Sequence, residues 1–217
     1  MFDTANARRL MVEGQIRTAD VTDLDLLAAF QAVPRELFLP AWLGELAYVD
    51  KDLMVEKGRA LLKPMVLAKL IQAAGVRPTD RVLDVACATG YSSAVLARVA
   101  GAVVALEENV ALAGEAKEAL AAAGVANVEV EIGALIAGWP AGAPYDVILL
   151  NGAAEVLPEV YTPQLKPDGR FACVYGRPPA TQAMIFRVIE GRLVGRPIFD
   201  ASARLLPGFV APPAFVF

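Results

Sequence analysis

A chain of 217 residues is long enough for one domain of ordinary size, or for one domain with a sizeable extension. Hydrophobic residues make up 56% and charged residues 20%, enough apolar surface to offset chain entropy, which excludes a disordered chain. Histidine is absent, so Ser-His-Asp triads, Cys-His pairs and HExxH metal sites are excluded, and a net charge of −4 speaks against a general nucleic-acid binder.

Two cysteines, Cys87 and Cys173, make no disulfide framework and point to a reducing compartment. Residues 1–9 lack the apolar core of a signal peptide, and no apolar run approaches the roughly 18 residues of a membrane span. The expectation is a soluble, cytoplasmic protein with no membrane partner. The sequence leaves its oligomeric state open.

The chain divides into two zones. Residues 1–76 are expected to be mostly helical. Asp20-Val21-Thr22-Asp23 offers N-cap side chains, and Leu24, Leu27, Ala28 and Gln31 then lie along one helical row. Pro34 and Pro40 punctuate the next stretch. Pro64 stands where a helix starts, Val66, Leu67, Leu70 and Ile71 form its apolar stripe, and Gly75 is its C-terminal stop.

From residue 77 to 217 strands alternate with helices. Strands are expected at 81–86, 102–107, 127–132, 145–150 and 170–175, with helices over 91–99 and 110–123, the latter closed by Gly124. Segments 184–190 and 192–197 form a late antiparallel pair around Gly191. This alternation predicts an α/β fold, a doubly wound parallel sheet with helices on both faces and a helical N-terminal extension packed on the core as one compact unit. Ligands of such sheets bind at the C-terminal strand edges, where strand order reverses.

The stretch Val82-Leu83-Asp84-Val85-Ala86-Cys87-Ala88-Thr89-Gly90-Tyr91 carries the most chemical information. A strand feeds a loop of small residues and then a helix, so that backbone can approach a bound cofactor. The candidate binding residues are Asp84, Ala86, Ala88, Thr89, Gly90 and Glu107, which lies at the end of the next strand. An acidic side chain there can take both ribose hydroxyls. An acid at Asp84 favours a nucleoside cofactor with a cationic amino-acid tail and would repel a pyrophosphate. A nucleotide-dependent oxidoreductase is therefore the last-ranked reading. On the loop alone, Gly90 as a plain turn residue remains open.

Several short segments, in order, add a resemblance. Met11-Val12-Glu13-Gly14-Gln15-Ile16-Arg17, Val33-Pro34-Arg35-Glu36-Leu37-Phe38-Leu39-Pro40, Ala47-Tyr48-Val49-Asp50, Val82 to Ala97, Gly138-Trp139-Pro140, Ala143-Pro144-Tyr145-Asp146 and Gln164-Leu165-Lys166-Pro167-Asp168-Gly169 resemble the protein-L-isoaspartate O-methyltransferase family. The likeness spans roughly residues 8–176. It implies a class I methyltransferase fold, Rossmann-like, that uses S-adenosyl-L-methionine to methylate a carboxylate of a peptide or protein substrate. It further implies that Asp84, Ala86 and Gly90 line the methionine part of the cofactor, that Glu107 holds its ribose and that Leu135 lies near adenine. It implies no metal.

Three positions depart from the family's pattern. Ala60-Leu61-Leu62-Lys63-Pro64 replaces its Thr-Ile-Ser stretch, so Leu62 stands where the active-site serine is expected. Gly133-Ala134-Leu135 replaces Gly-Asp-Gly, and Ala86 and Ala88 replace two glycines of the cofactor loop. The first departure predicts weak or absent turnover on ordinary isoaspartyl peptides and leaves two readings, an active methyltransferase of the isoaspartyl-repair type or with an altered substrate, and a catalytically impaired cofactor-binding relative that acts through protein interactions. No catalytic residue is assigned. Lys63 is read as a solvated side chain or a partner for a substrate carboxylate, Trp42, Tyr48 and Trp139 as packing residues, and the apolar stretch Leu205–Phe217 as a tail docked on the core or a lid.

Overall fold

A computed structural model describes residues 3–212. The first zone opens with α1 (Thr4–Met11), whose N-cap Asp3 accepts the Asn6 N–H, and continues as a π-helical turn over Val12–Ile16. Helix α2 (Leu24–Ala32) starts where the Asp20–Asp23 cluster predicts, with the Asp23 carboxylate accepting the N–H groups of Asp25 and Leu26. After Pro34 and Pro40 the chain makes only 3₁₀ turns, Arg35–Phe38 and Ala41–Leu46. Trp42 in the second turn is 73% exposed, so the expectation that it packs does not hold.

The mostly helical expectation for this zone meets an exception. Strands β1 (Leu53–Glu56) and β2 (Arg59–Leu61) form an antiparallel hairpin that turns at Lys57-Gly58, with Gly58 at φ 82°. Strands of four and three residues are too short to display an alternating pattern. Helix α3 (Pro64–Ala74) then runs between the expected punctuation, Pro64 in its first turn and Gly75 at φ 59° as its left-handed cap.

Seven strands make the central sheet: β3 (Arg81–Val85), β4 (Ala102–Glu107), β5 (Val128–Ile132), β6 (Tyr145–Ala154), β7 (Leu165–Arg177), β8 (Ala180–Ile189) and β9 (Arg192–Asp200). Their order is β5-β4-β3-β6-β7-β8-β9. The first five are parallel, and β8 and β9 complete the sheet as an antiparallel meander. Helices α4 (Tyr91–Leu96) and α5 (Val110–Ala122) connect β3 to β4 and β4 to β5. Chain order reverses between β3 and β6, and the C-terminal ends of β3, β4 and β6 meet at that switch point.

The two faces of the sheet are covered differently. All five α-helices send side chains into one core, against Val82, Val103, Val147, Leu149 and Val174. The opposite core, around Leu83, Val104, Ile148, Leu150 and Phe171, takes no residue from an α-helix among the described residues. Single 3₁₀ turns at Leu135–Ala137 and Glu159–Gln164 cover it, together with Leu206 and Phe209. The expectation of helices on both faces is therefore corrected: connections interrupted by Gly138, Pro140, Gly142 and Pro144, and by Pro158 and Pro163, cover the second face without an α-helix, supplying Leu135 and Tyr161.

The segment 204–209 docks beside the end of β6. Ala153 donates to the Arg204 carbonyl at 2.7 Å, Leu206 donates back to Ala153 at 3.0 Å, and Glu155 donates to Phe209 at 2.8 Å. This bears on the docked-tail reading for Leu205–Phe209. Residues 213–217 lie outside the described residues. Close approach at Gly152 makes the docking possible, because a Cβ there would stand 2.6 Å from Leu206 Cγ and 3.0 Å from the Arg204 carbonyl. Gly152→Ala should lower the unfolding free energy by about 1–3 kcal/mol, as read from urea denaturation. An unchanged midpoint would mean that the segment does not press on β6.

Candidate functional site

Asp84 lies in β3, one residue before its end, and is fully buried. Its Oδ2 accepts Ser92 Oγ at 2.7 Å and Ser93 Oγ at 2.5 Å, both from the first turn of α4, and its Oδ1 accepts Asn151 Nδ2 at 2.6 Å from β6. Burial pushes its pKa up to about 6, and the three donors pull the other way. None of these three partners is a cation. The carboxylate is thus an acid in a dry site, ready to gain from a positive charge brought to it.

The loop after β3 keeps a glycine-like backbone without glycine at two of three positions. Ala86 has φ 59°, Ala88 has φ 52° and Gly90 has φ 91°. An L-residue with a Cβ costs roughly 1–2 kcal/mol in the left-handed region, so two closely spaced departures of this kind mark a conformation that its surroundings impose. The Cys87 N–H donates to the Leu106 carbonyl at 3.2 Å, the Ala88 N–H to Glu107 Oε2 at 3.1 Å, and the Gly90 N–H to Cys87 at 2.8 Å. Thr89 turns its hydroxyl away, to the Phe38 carbonyl at 2.5 Å, and so offers only backbone to the strand edge. Burial raises the Cys87 thiol well above its ordinary pKa, which makes it an inert filler.

Glu107 ends β4 and is also fully buried. Its Oε1 accepts the N–H groups of Glu108 at 2.9 Å and Asn109 at 3.0 Å. Arg59 Nε, from β2, straddles the carboxylate at 3.0 Å from Oε1 and 3.2 Å from Oε2. The same guanidinium reaches Glu108 Oε1 through Nη2 at 2.5 Å and the Gly58 carbonyl through Nη1 at 3.1 Å. The acid therefore ties the β3 loop, the start of α5 and the hairpin into one corner.

Leu62, at the position of the expected serine, is buried at the other end of the site. Its carbonyl accepts Arg35 Nη2 at 2.9 Å, and the next N–H, of Lys63, donates to Asp52 Oδ1 at 2.8 Å. Arg35 is itself fully buried and stacks on Tyr91 at 4.5 Å. Leu61, Leu62, Ala86, Tyr91, Ser92 and Asn151 close around a cavity of only about 10 Å³, the room of one water. Leu135 is buried on the second face, and its carbonyl accepts the Tyr161 hydroxyl. Among the described residues no group of acidic or cysteine side chains could hold a metal ion.

Asp84, Ala86, Ala88, Thr89, Gly90 and Glu107 thus converge at the switch point, and Leu135 stands on the loop after β5. Sequence reasoning missed Arg59, Ser92, Ser93 and Asn151. The serines had a local signal, eight and nine residues past Asp84 at a helix start. Arg59 had none, because its partner lies 48 residues away. The arrangement offers two buried carboxylates as acceptors, one held by a cation and one not, with the apolar Leu135 on the neighbouring loop.

Comparison with known proteins bears on the family and the fold. Residues 6–190 match the family model described as protein-L-isoaspartate (D-aspartate) O-methyltransferase. A protein-L-isoaspartate O-methyltransferase of Methylorubrum extorquens is 42% identical over 190 residues, covering 88% of this chain and 82% of that one. One from Methanoculleus marisnigri is 36% identical over 192 residues, covering 88% and 87%. A solved protein-L-isoaspartate O-methyltransferase superposes with a TM-score of 0.82 at 26% identity, over 93% of this chain and 66% of that one. A putative one from Plasmodium falciparum, solved with S-adenosyl-L-homocysteine, shares the fold with a TM-score of 0.78 at 17% identity, over 92% and 97%. Family match, relatives and fold agree, and the chain belongs to the protein-L-isoaspartate (D-aspartate) O-methyltransferase family.

Proposed function

We propose that this protein transfers the methyl group of S-adenosylmethionine to a carboxylate of an isoaspartyl residue in a peptide or protein, as a cytoplasmic repair activity. The observation that carries this reading is the pair of buried acids, Asp84 and Glu107, joined through a left-handed loop at the switch point. In this reading residues 77–217 bind the cofactor, and residues 1–76 pack on them and bring Leu62 to the reaction end.

When bound, the cofactor supplies a methyl group on a sulfonium, which a nucleophile can displace directly. Glu107 presents two oxygens to the ribose hydroxyls, Asp84 faces the ammonium of the amino-acid tail, and Leu135 packs near the base. The substrate carboxylate is already ionised at neutral pH, so no proton has to be removed and a chain without histidine suffices. What remains for the protein is alignment and exclusion of water. Arg35 and Asp52 do part of this by fixing the backbone on both sides of the Leu62–Lys63 peptide bond. A second reading, a cofactor-binding relative with impaired turnover, rests on Leu62, whose side chain cannot hold a carboxylate oxygen.

Three measurements test the reading. Glu107→Ala should weaken S-adenosylhomocysteine binding by about 0.5–1.5 kcal/mol in calorimetry, and equal affinities would remove the ribose assignment. Binding should also depend on pH through Asp84. Its raised pKa leaves it protonated below about pH 6, and a cationic tail favours the ionised form. Affinity should therefore rise as pH rises, by up to about tenfold between roughly pH 5 and pH 7, and then level off. Asp84→Asn should flatten that profile, and an unaltered profile in the variant would assign the proton elsewhere. Finally, Leu62→Ser should raise methyl transfer to an isoaspartyl peptide by roughly tenfold or more. No gain would show that the carboxylate is oriented by other groups.

A further inference from the structure

We propose that Arg59 is a positioning residue that occupies the ribose position on Glu107, and that cofactor entry exchanges its guanidinium for the two sugar hydroxyls. The inference rests on the reading that Glu107 holds the ribose.

The argument is a count of acceptor sites. A carboxylate offers about four lone-pair directions. Glu107 already takes five contacts: the N–H groups of Ala88, Glu108 and Asn109, and Arg59 Nε on both oxygens. The three backbone donors belong to the loop and to the start of α5 and cannot leave without rebuilding both. Only Arg59 can be displaced, and it straddles the two oxygens as a chelating diol would. No capacity is left for a sugar while Arg59 stays.

The guanidinium also has somewhere to remain. Its Nη2 bonds Glu108 Oε1 at 2.5 Å and its Nη1 the Gly58 carbonyl at 3.1 Å, and the Glu108 side chain is 40% exposed. Arg59 can therefore release Glu107 and stay paired at the rim, so the exchange avoids an unpaired buried cation. Glu107 would likewise keep its three backbone donors. Neither charge depends on the other for a partner, unlike a purely structural buried pair.

The consequence reaches the reaction end. Arg59 is the first residue of β2, and Leu61 and Leu62, two and three positions on, wall the cavity of about 10 Å³ beside Ala86 and Asn151. While Arg59 sits on Glu107, the hairpin is held down over the strand ends. Exchange at the ribose end frees the same short strand at the methyl end. Arg59 thereby links cofactor entry to the opening of the site.

The test is calorimetric binding of S-adenosylhomocysteine and of its 2′,3′-dideoxy analogue to wild type, Arg59→Met and Arg59→Lys. In the wild type the hydroxyls replace an arginine, so the two ligands should differ by less than about tenfold. In Arg59→Met the natural ligand should bind about tenfold tighter, one charge-assisted bond's worth, with the analogue unchanged. Arg59→Lys should fall between, because an ammonium cannot straddle both oxygens and also keep Glu108. A wild-type preference of a hundredfold or more, or Arg59→Met binding the natural ligand no tighter, would overturn the exchange. The wild-type ratio decides the matter even if the variants unfold. Glu107→Ala, measured alongside, separates the two layers. Unchanged affinity there removes the ribose assignment itself, whereas lost affinity with an unaltered Arg59→Met overturns only the exchange.

Discussion

One buried carboxylate organises the ligand edge of this molecule. Glu107 gathers donors from the loop after β3, from the first residues beyond β4 and from the β1–β2 hairpin. A buried anion must be compensated by hydrogen bonds or a counter-charge, and here the compensation is also the architecture. The bond to the Ala88 N–H helps to impose left-handed conformations on two alanines that would not choose them. The loop shape normally granted by glycine is obtained instead by anchoring.

The second acid is built on different terms. Asp84 meets two hydroxyls and one amide, with no positive partner among them, and its charged form is correspondingly disfavoured. Two carboxylates on adjacent strands thus have different environments, one committed to a cation and one deprived of it. That asymmetry suits a ligand with a neutral diol at one end and an ammonium at the other. It also shows why a chain without histidine loses nothing: neither acid has to pass a proton during a displacement by a carboxylate. At Leu62 the backbone is held by Arg35 on the carbonyl and by Asp52 on the following N–H.

Much of the sheet was legible because parallel strands buried on both faces read as short, mainly apolar runs, as Arg81–Val85 and Ala102–Glu107 do, while the edge strand Val128–Ile132 alternates apolar residues with glutamates. Helix limits were legible where capping chemistry is local, at Asp23, Pro64 and Gly75. The β1–β2 hairpin was not, since three or four residues cannot establish a period. The cover on the second face was missed for a related reason: single 3₁₀ turns have no amphipathic stripe. Within the site, residues that the chain itself places together could be read, as with Asp84 and its loop. Arg59 and Asn151 arrive from distant elements, and only folding brings them to their acids.

The helix-free second face has a consequence for the order of events during synthesis. Leu206 and Phe209 seal a core whose other walls come from β3, β4, β6 and β7, and every strand of the sheet precedes them in the chain. Chains emerge from the ribosome at about 5–20 residues per second, and earlier segments begin to fold first. The helical face can therefore consolidate while the opposite core still lacks Leu206 and Phe209. Until residues 204–209 join it, the new chain carries an unsealed apolar surface beside its own ligand edge, the kind of surface that chaperones hold and that neighbouring nascent chains can capture.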